Sequence, residues 1–400
     1  MKTYDWIVVG GGITGAALAY ELQKQRFDVL LLEQDASLQG ATRYSYGGLA
    51  YWAGTSDLTQ RLCQEGKERY SLLAEELETD IQLREMDLLL TISAQDDPQK
   101  VAATYANFAT PPKLLSVEAA GELEPLLNKN AISGALTVRH GQIQPEITNQ
   151  AYLSAFRRAG GEMQIAQVIE LLRQGDTISG VKTAQTSYHA HRTVICAGGL
   201  SRALLKAAGI PVRLYFTHAE LVEIPPGDIQ LQVPVMPAIT QRFELEAKVS
   251  TAEIDPLWDQ LGNEPLPAIL DPGAVQFLDG TIRMGQLSRV LTDPNAAVDA
   301  QQSEAAIRSQ VGNILPALEK LPGIWHHCRV AFNSNRLGVI GALSGVSGAY
   351  IFSGFTNPLV FVPPLAVHFA NWATGNDDQI MAQISPGDQI SVVAPTPTQN

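Results

Sequence analysis

Three glycines in strict order constrain this chain more than any other feature. Gly10-x-Gly12-x-x-Gly15 follows the apolar run 6–9 and opens a helical stretch, 14–25, in which Leu18 and Leu22 lie four apart. A second apolar run, 29–32, ends at Glu33. Short apolar runs bounded in this way suit buried parallel strands, so the first 33 residues predict one strand–helix–strand unit. Each glycine serves a separate physical purpose. Gly10 permits a tight turn, Gly12 lets backbone approach a pyrophosphate, and Gly15 lets helix and strand pack closely. The helix start then offers free N–H groups and a positive dipole end to phosphates. Glu33, at the end of the second strand, stands where an acid binds a pair of ribose hydroxyls. The chain is therefore expected to hold a dinucleotide on a parallel α/β sheet.

Composition narrows what else the chain can be. At roughly 150 residues per domain, 400 residues suggest two or three domains. The net charge of −13 argues against nucleic acid and acidic membrane surfaces as partners. Three scattered cysteines, Cys63, Cys196 and Cys328, cannot form a disulfide framework, so a reducing, cytoplasmic location is expected. The N-terminal apolar run is too short for a signal peptide. No Asp, Glu, Lys or Arg occurs between Arg336 and Asp377, but Asn357-Pro358 and Pro363-Pro364 interrupt that stretch. It reads as buried strands, a turn and a helix rather than an integral membrane segment.

Further along, helices are expected at about 58–78, 146–158 and 302–319, with an irregular region over 88–143. The stretch 212–289 is β-like, and a last strand of the first domain is expected near 349–352. The tail from 386 to 400 is rich in Pro, Thr and Gln and is expected to be flexible.

A second strand and glycine turn, Val194-Ile195-Cys196-Ala197-Gly198, adds to the first. With Gly40-Ala41-Thr42-Arg43 after the second strand, the chain resembles the D-amino-acid oxidase family of FAD enzymes, which includes glycine oxidases, D-amino-acid dehydrogenases and monomeric sarcosine oxidases. Gly141-Gln-Ile-Gln-Pro145 resembles the family's Gly-x-Val-Asp-Pro, with Gln144 replacing Asp. Asp279-Gly-Thr-Ile-Arg-Met-Gly285 resembles its substrate-domain strand, Trp325-His-His-Cys-Arg329 its Trp-x-Gly-x-Arg, and Gly354-Phe-Thr-Asn357 its last flavin loop. The sequence departs from the family at 357–359, where Asn357, Pro358 and Leu359 replace glycines, and at Asn335, near an Asp position.

The resemblance implies an α/β fold: a Rossmann-like FAD-binding domain, discontinuous over 1–87, 144–212 and 325–385, and an antiparallel-sheet (α+β) substrate domain over 88–143 and 213–324. It implies oxidation of an amino acid or amine to an imine by hydride transfer to flavin N5, with oxygen or an electron carrier as acceptor. The alternatives are a dehydrogenase passing electrons to a quinone or carrier, and a flavin-binding protein without turnover. A homo-oligomer is compatible with either. The implied cofactor contacts are Gly10, Gly12, Ile13, Thr14, Gly15, Glu33, Gln34, Thr42, Arg43, Gly47, Val168, Ala197, Gly198, Gly354, Phe355, Thr356 and Asn357. FAD is expected to be held non-covalently, with Cys328 as the candidate attachment site.

Arg329 is expected to clamp a substrate carboxylate, because a guanidinium binds it through two parallel bonds; the competing reading is a structural ion pair. Arg283 falls at the family's oxygen-activating position, against the reading of an exposed strand charge. Tyr51 and Asn357 are expected at the substrate, with core packing the alternative for Tyr51. His326, His327 and Cys328 adjoin on a strand, whose alternation sends neighbours to opposite faces, so no shared metal is expected.

Overall fold

The computed structural model of the protein describes residues 2–384, and the tail expected at 386–400 lies outside the described residues. β1 (Thr3–Val9) is buried from Trp6 to Val9, which explains its unbroken apolar run. It leads through the glycine turn into α1 (Ile13–Lys24), and β2 (Val29–Glu33) returns parallel to β1, with Trp6 opposite Val29 and Val9 opposite Leu32. Strand Ser187–Ile195 lies parallel on the other side of β1, followed by Ala349–Ser353, while Glu162–Ile165 flanks β2. Val339–Ala342 closes one edge antiparallel, and the hairpin Val168–Gln174 with Thr177–Thr183 joins Ser187–Ile195.

Helices α1, Asp57–Glu76, Pro145–Arg158 and Pro358–Ala373 share one core with Trp6, Val8 and Phe352. Asp57–Glu76 starts on a reciprocal cap: Ser56 Oγ accepts from the Thr59 N–H, and Thr59 Oγ1 accepts from the Ser56 N–H. Pro145 stands in the first turn of its helix, and the Gln144 side chain accepts from the Glu146 N–H at 3.4 Å, so the Gln that replaces Asp still caps this helix. The uncharged stretch after Arg336 folds as two strands and the helix Pro358–Ala373. No described helix is long and apolar enough to cross a membrane.

The second sheet has nine strands. Its main order is Ile324–Phe332, Tyr215–Ile224, Ile282–Arg289, Ile269–Gln276, Val235–Pro237, Arg84–Ser93, Ile132–Gln142 and Gly48–Leu49, with Lys113–Leu115 beside Ile132–Gln142. Every pair is antiparallel except Val235–Pro237 on Arg84–Ser93. Helix Ala300–Ile314 packs on this sheet through Ile307 and Val311. The fold is thus mixed α/β, with a parallel dinucleotide-type sheet and a largely antiparallel one.

Sheet membership cuts across the expected segments in three places. Ile324–Phe332 pairs with Tyr215 to Glu223 in the second sheet, although the expected third segment of the first domain begins at 325. The region 88–143 is not irregular at its ends, where Arg84–Ser93 and Ile132–Gln142 form a long antiparallel pair that already starts at 84. Gly48–Leu49 also belongs to the second sheet, although it lies within the expected segment 1–87.

Candidate active site

A cavity of about 1100 Å³ opens at the C-terminal ends of the parallel strands and runs beneath the second sheet. Ligands of open α/β sheets bind at such strand ends. At its near end the glycine turn is tightly built. Gly10 has φ +106°, and a Cβ there would stand 2.6 Å from the Cys196 carbonyl oxygen. A Cβ on Gly15 would stand 1.9 Å from the Gly10 oxygen, so only glycine lets α1 meet this turn. Gly12 caps α1 without a side chain, and Thr42 Oγ1 supplies the missing acceptor by taking the Ile13 N–H at 3.0 Å. Glu33 is aimed by two backbone donors, the Gly11 N–H on Oε2 (2.6 Å) and the Asp35 N–H on Oε1 (3.0 Å). Gln34, Val168, Ala197 and Gly198 complete this end.

The far end is mostly apolar and carries one conspicuous cation. Leu88, Leu221, Met236 and Val275 line it, together with Arg242, Gln286 and Cys328. Arg242 is the second residue of helix Gln241–Val249, whose first N–H groups are fixed by Asp271: its carboxylate accepts from the Gln241 N–H (2.7 Å) and the Arg242 N–H (3.1 Å). Arg242 Nη1 lies 3.6 Å from Glu246 Oε1, and Glu246 in turn accepts from Thr217 Oγ1 at 2.9 Å. The Tyr46 hydroxyl is buried at the same end with no hydrogen-bond partner. Burial pushes the Cys328 thiol up to about 12, so it is a neutral thiol at pH 7. Glu220 also borders the cavity, but its carboxylate accepts from Arg289 Nε (2.9 Å) and Trp325 Nε1 (3.1 Å).

The structure brings most of the expected cofactor residues to this cavity: Gly10, Gly12, Ile13, Thr14, Glu33 and Gln34 from the first unit, Thr42, Val168, Ala197 and Gly198, and Gly354 to Asn357 from the last loop. Gly15 packs behind the turn, as its role requires. Four expected residues lie elsewhere. Gly47 is a buried turn residue whose Cβ would meet the Ile143 oxygen. Tyr51 points into the helical core beside Tyr70, with ring centroids 6.3 Å apart. Arg43 turns away from the cavity and grips Glu223 with two bonds of 2.9 Å. Arg283, 2% exposed, donates to the same Glu223 at 2.8 Å and to the Ser45 carbonyl oxygen. It is neither an exposed strand charge nor part of the cavity wall, because the Glu223 carboxylate holds it behind that wall.

Arg329 borders the cavity, but its guanidinium is engaged by the loop at 294–295. Nε donates to the Pro294 carbonyl oxygen at 2.6 Å and Nη2 to Asn295 Oδ1 at 3.3 Å. Strand alternation places it on the sheet face opposite Cys328, beside His218 and His327. His327 stacks between His218 and Trp325, and His326 stacks on Tyr44, so the histidines diverge as expected. No group of His, Cys, Asp and Glu fit to hold a metal occurs among the described residues.

Fold and site together are of the flavin-dependent oxidoreductase type. Residues 5–372 match the DAO family, FAD dependent oxidoreductase, and the chain belongs to that family. It is 25% identical over 388 residues to 4-methylaminobutanoate oxidase (formaldehyde-forming) of Paenarthrobacter nicotinovorans, covering 92% of this chain and 43% of that protein. It is 23% identical over 381 residues to the mitochondrial dimethylglycine dehydrogenase of Homo sapiens, covering 92% of this chain and 42% of that protein. The chain thus spans less than half the length of these two relatives. Among solved structures, glycine oxidase from Geobacillus kaustophilus superposes with a TM-score of 0.78 at 20% identity, covering 98% of this chain and all of that one. L-proline dehydrogenase from P. horikoshii gives 0.74 at 18% identity, covering 96% and 97%.

The residues present fit the family's FAD. The cavity exceeds the ~300–1,000 Å³ usual for small-molecule sites, as an extended dinucleotide requires. Its near end offers a glycine turn, where a Cβ on Gly12 would stand 3.1 Å from Thr42 Oγ1, and a fixed carboxylate, and the buried Thr356 hydroxyl in its wall has no hydrogen-bond partner.

Proposed function

We propose that the protein oxidises the CH–NH bond of an amine that bears a carboxylate, an amino acid or N-substituted amino acid, to an imine. The observation that carries this reading is the Arg242 guanidinium in the far end of the cavity, among Leu88, Leu221, Met236 and Val275 and beside the unpartnered Tyr46 hydroxyl; its neighbour Glu246, 3.6 Å away, has its carboxyl pushed up by burial, which weakens the compensating charge. A guanidinium in an apolar wall selects an anionic group, and a free hydroxyl adds a directed bond. The substrates in the names of the relatives, 4-methylaminobutanoate, dimethylglycine and glycine, are all amines with a carboxylate.

FAD, when bound, supplies the hydride acceptor. Glu33, Thr42 and the glycine turn would hold its nucleotide end, and the Gly354 to Asn357 loop its other end. The chain's own part in the chemistry is to orient the substrate and exclude water, which the apolar far wall favours. With Cys328 neutral, the nucleophilic thiolate is scarce, which supports a non-covalent cofactor. Arg283 favours a dehydrogenase over an oxidase, because Glu223 neutralises the positive charge expected to activate oxygen. Cys63, Cys196 and Cys328 are all free and buried, which suits a reducing compartment such as the cytoplasm.

The deciding experiment is anaerobic reduction of the bound flavin by a panel of amino acids, N-methyl amino acids and amines without a carboxylate. Bleaching by the carboxylate-bearing compounds is expected. Bleaching only by carboxylate-free amines would refute the anionic substrate, and no bleaching by any compound would leave a flavin-binding protein without turnover. Reoxidation by air, set against an artificial electron acceptor, then separates oxidase from dehydrogenase.

A further inference from the structure

His140 belongs to the wall of this cavity, yet neither the motifs nor the reaction above gives it a role. It sits near the end of strand Ile132–Gln142, 9% exposed, next to Gly48, Ala50 and Gln142 in the wall. Trp52 Nε1 lies 3.3 Å from His140 Nδ1. An indole N–H can only donate, so Nδ1 must be the acceptor and carries no proton. In a neutral ring the proton then resides on Nε2. Gly48 keeps the space before Nε2 clear, since a Cβ there would stand 2.7 Å from that nitrogen.

Trp52 is itself held in place. Its ring stacks on Phe108, with centroids 5.7 Å apart and an interplanar angle of 27°, and its carbonyl oxygen accepts from the Thr110 N–H at 3.3 Å. Burial also pushes the His140 ring down to about 4, which keeps it uncharged at neutral pH.

We propose that Trp52 locks His140 in the Nε2–H tautomer, so that His140 meets the cavity as a fixed hydrogen-bond donor and not as a proton acceptor. The catalytic part of this inference rests on the amine-oxidation reading. His140 then cannot take the proton of an incoming ammonium. It suits an acceptor oxygen in the cavity, and a substrate amine must lose its proton to solvent or to another group before it is oxidised. Trp52 acts through His140 and is a positioning residue.

The test uses the FAD-loaded protein with 15N-labelled histidine, and the His140→Gln variant identifies the His140 signals. Long-range proton–nitrogen spectra should show an unprotonated Nδ1 and a protonated Nε2, unchanged between about pH 8 and about pH 5.5, the range in which an ordinary imidazole charges. In Trp52→Phe, which keeps an aromatic ring against Phe108 but removes the donor, the two nitrogen shifts should move toward each other. A protonated Nδ1 in the wild type, a ring that charges in that range, or an unchanged Trp52→Phe spectrum would overturn the proposal. The spectrum does not depend on turnover. A flavin that no amine reduces, with the Nε2–H form intact, would refute the catalytic reading while leaving the tautomer standing.

Discussion

At the scale of single residues, two arginines compete for the role of carboxylate clamp. Arg329 carried the motif-based expectation, but the 294–295 loop holds its guanidinium. Arg242 lies in no recognisable motif, yet it reaches the far end of the cavity. One hydrogen bond to a charged group is worth about 1.5–3 kcal/mol. Arg242→Ala should therefore lower kcat/KM for a carboxylate-bearing amine by roughly tenfold to a few hundredfold. Arg242→Lys should restore only part of this, because a point charge cannot reproduce the fork. Turnover of a carboxylate-free amine should fall much less, and flavin content should not change. Arg329→Ala should have the smaller effect of the two, and the reverse ranking would return the clamp to Arg329. Tyr46→Phe removes one directed bond and should raise KM with flavin content unchanged; an unaltered KM would exclude the Tyr46 hydroxyl from the substrate. Cys328 is tested by acid precipitation. The yellow colour should stay in the supernatant, and colour retained in the pellet but released by Cys328→Ser would make this thiol the attachment site.

At the scale of elements, legibility followed locality. The unit β1–α1–β2 was readable to within three residues because each constraint, apolar run, glycine turn and helix start, lies within 33 residues. The pair Arg84–Ser93 and Ile132–Gln142 was not readable. Arg84, Glu85 and Asp87 interrupt the apolar pattern of the first strand, and its partner follows only after a long excursion, so long-range pairing overrode the local signal. The cavity residues split the same way. Glu33 and Gly198 come from turn motifs, whereas Arg242, Tyr46 and His140 come from separate parts of the chain that only the second sheet gathers. Arg43 and Arg283 were legible as important basic positions, but sequence could not show that Glu223 claims both. The glycine turn also yields a sharp prediction. A Cβ on Gly15 would lie 1.9 Å from the Gly10 oxygen, which belongs to backbone that cannot yield cheaply. Gly15→Ala should therefore push α1 away from β1, at a cost of about 1–3 kcal/mol or more. The variant should purify with much less FAD and melt at lower temperature. Full flavin occupancy at an unchanged melting temperature would show that the turn adapts, and that close packing at Gly15 is not what holds the cofactor site.

At the scale of the whole molecule, the two sheets must hold a fixed separation for one cavity to span them, and charge helps to set it. Arg43, from the short helix Gly40–Arg43 after β2, makes two 2.9 Å bonds to Glu223 on the second sheet, and Arg283 donates to the same carboxylate at 2.8 Å. Arg283 also donates to the Ser45 carbonyl oxygen, next to Tyr46, so the triad braces the wall of the far end from behind. Burial by itself would push the Glu223 carboxyl up, but the bonds from Arg43 and Arg283 outweigh it and hold its pKa at about 2. An unfolded Glu titrates near about 4.3, so the unfolded chain binds the extra proton between these two values. The stability this group contributes is therefore fully present above about pH 4.3 and is lost as pH falls toward about 2. Replacing the two arginines and the glutamate together with apolar residues could be neutral, but removing one partner leaves buried charge unpaired, at about 3–5 kcal/mol. Glu223→Gln should accordingly lower the denaturation midpoint at neutral pH, with much of the loss arising from Arg283, which is 2% exposed. It should also flatten the rise in stability between about pH 2 and about pH 4.3, because the titrating group is gone. Urea denaturation of the FAD-loaded protein at several pH values measures both effects. A variant as stable as the wild type at pH 7, with the same acid slope, would show that apolar packing alone holds the sheets together and that the triad is incidental to the cavity.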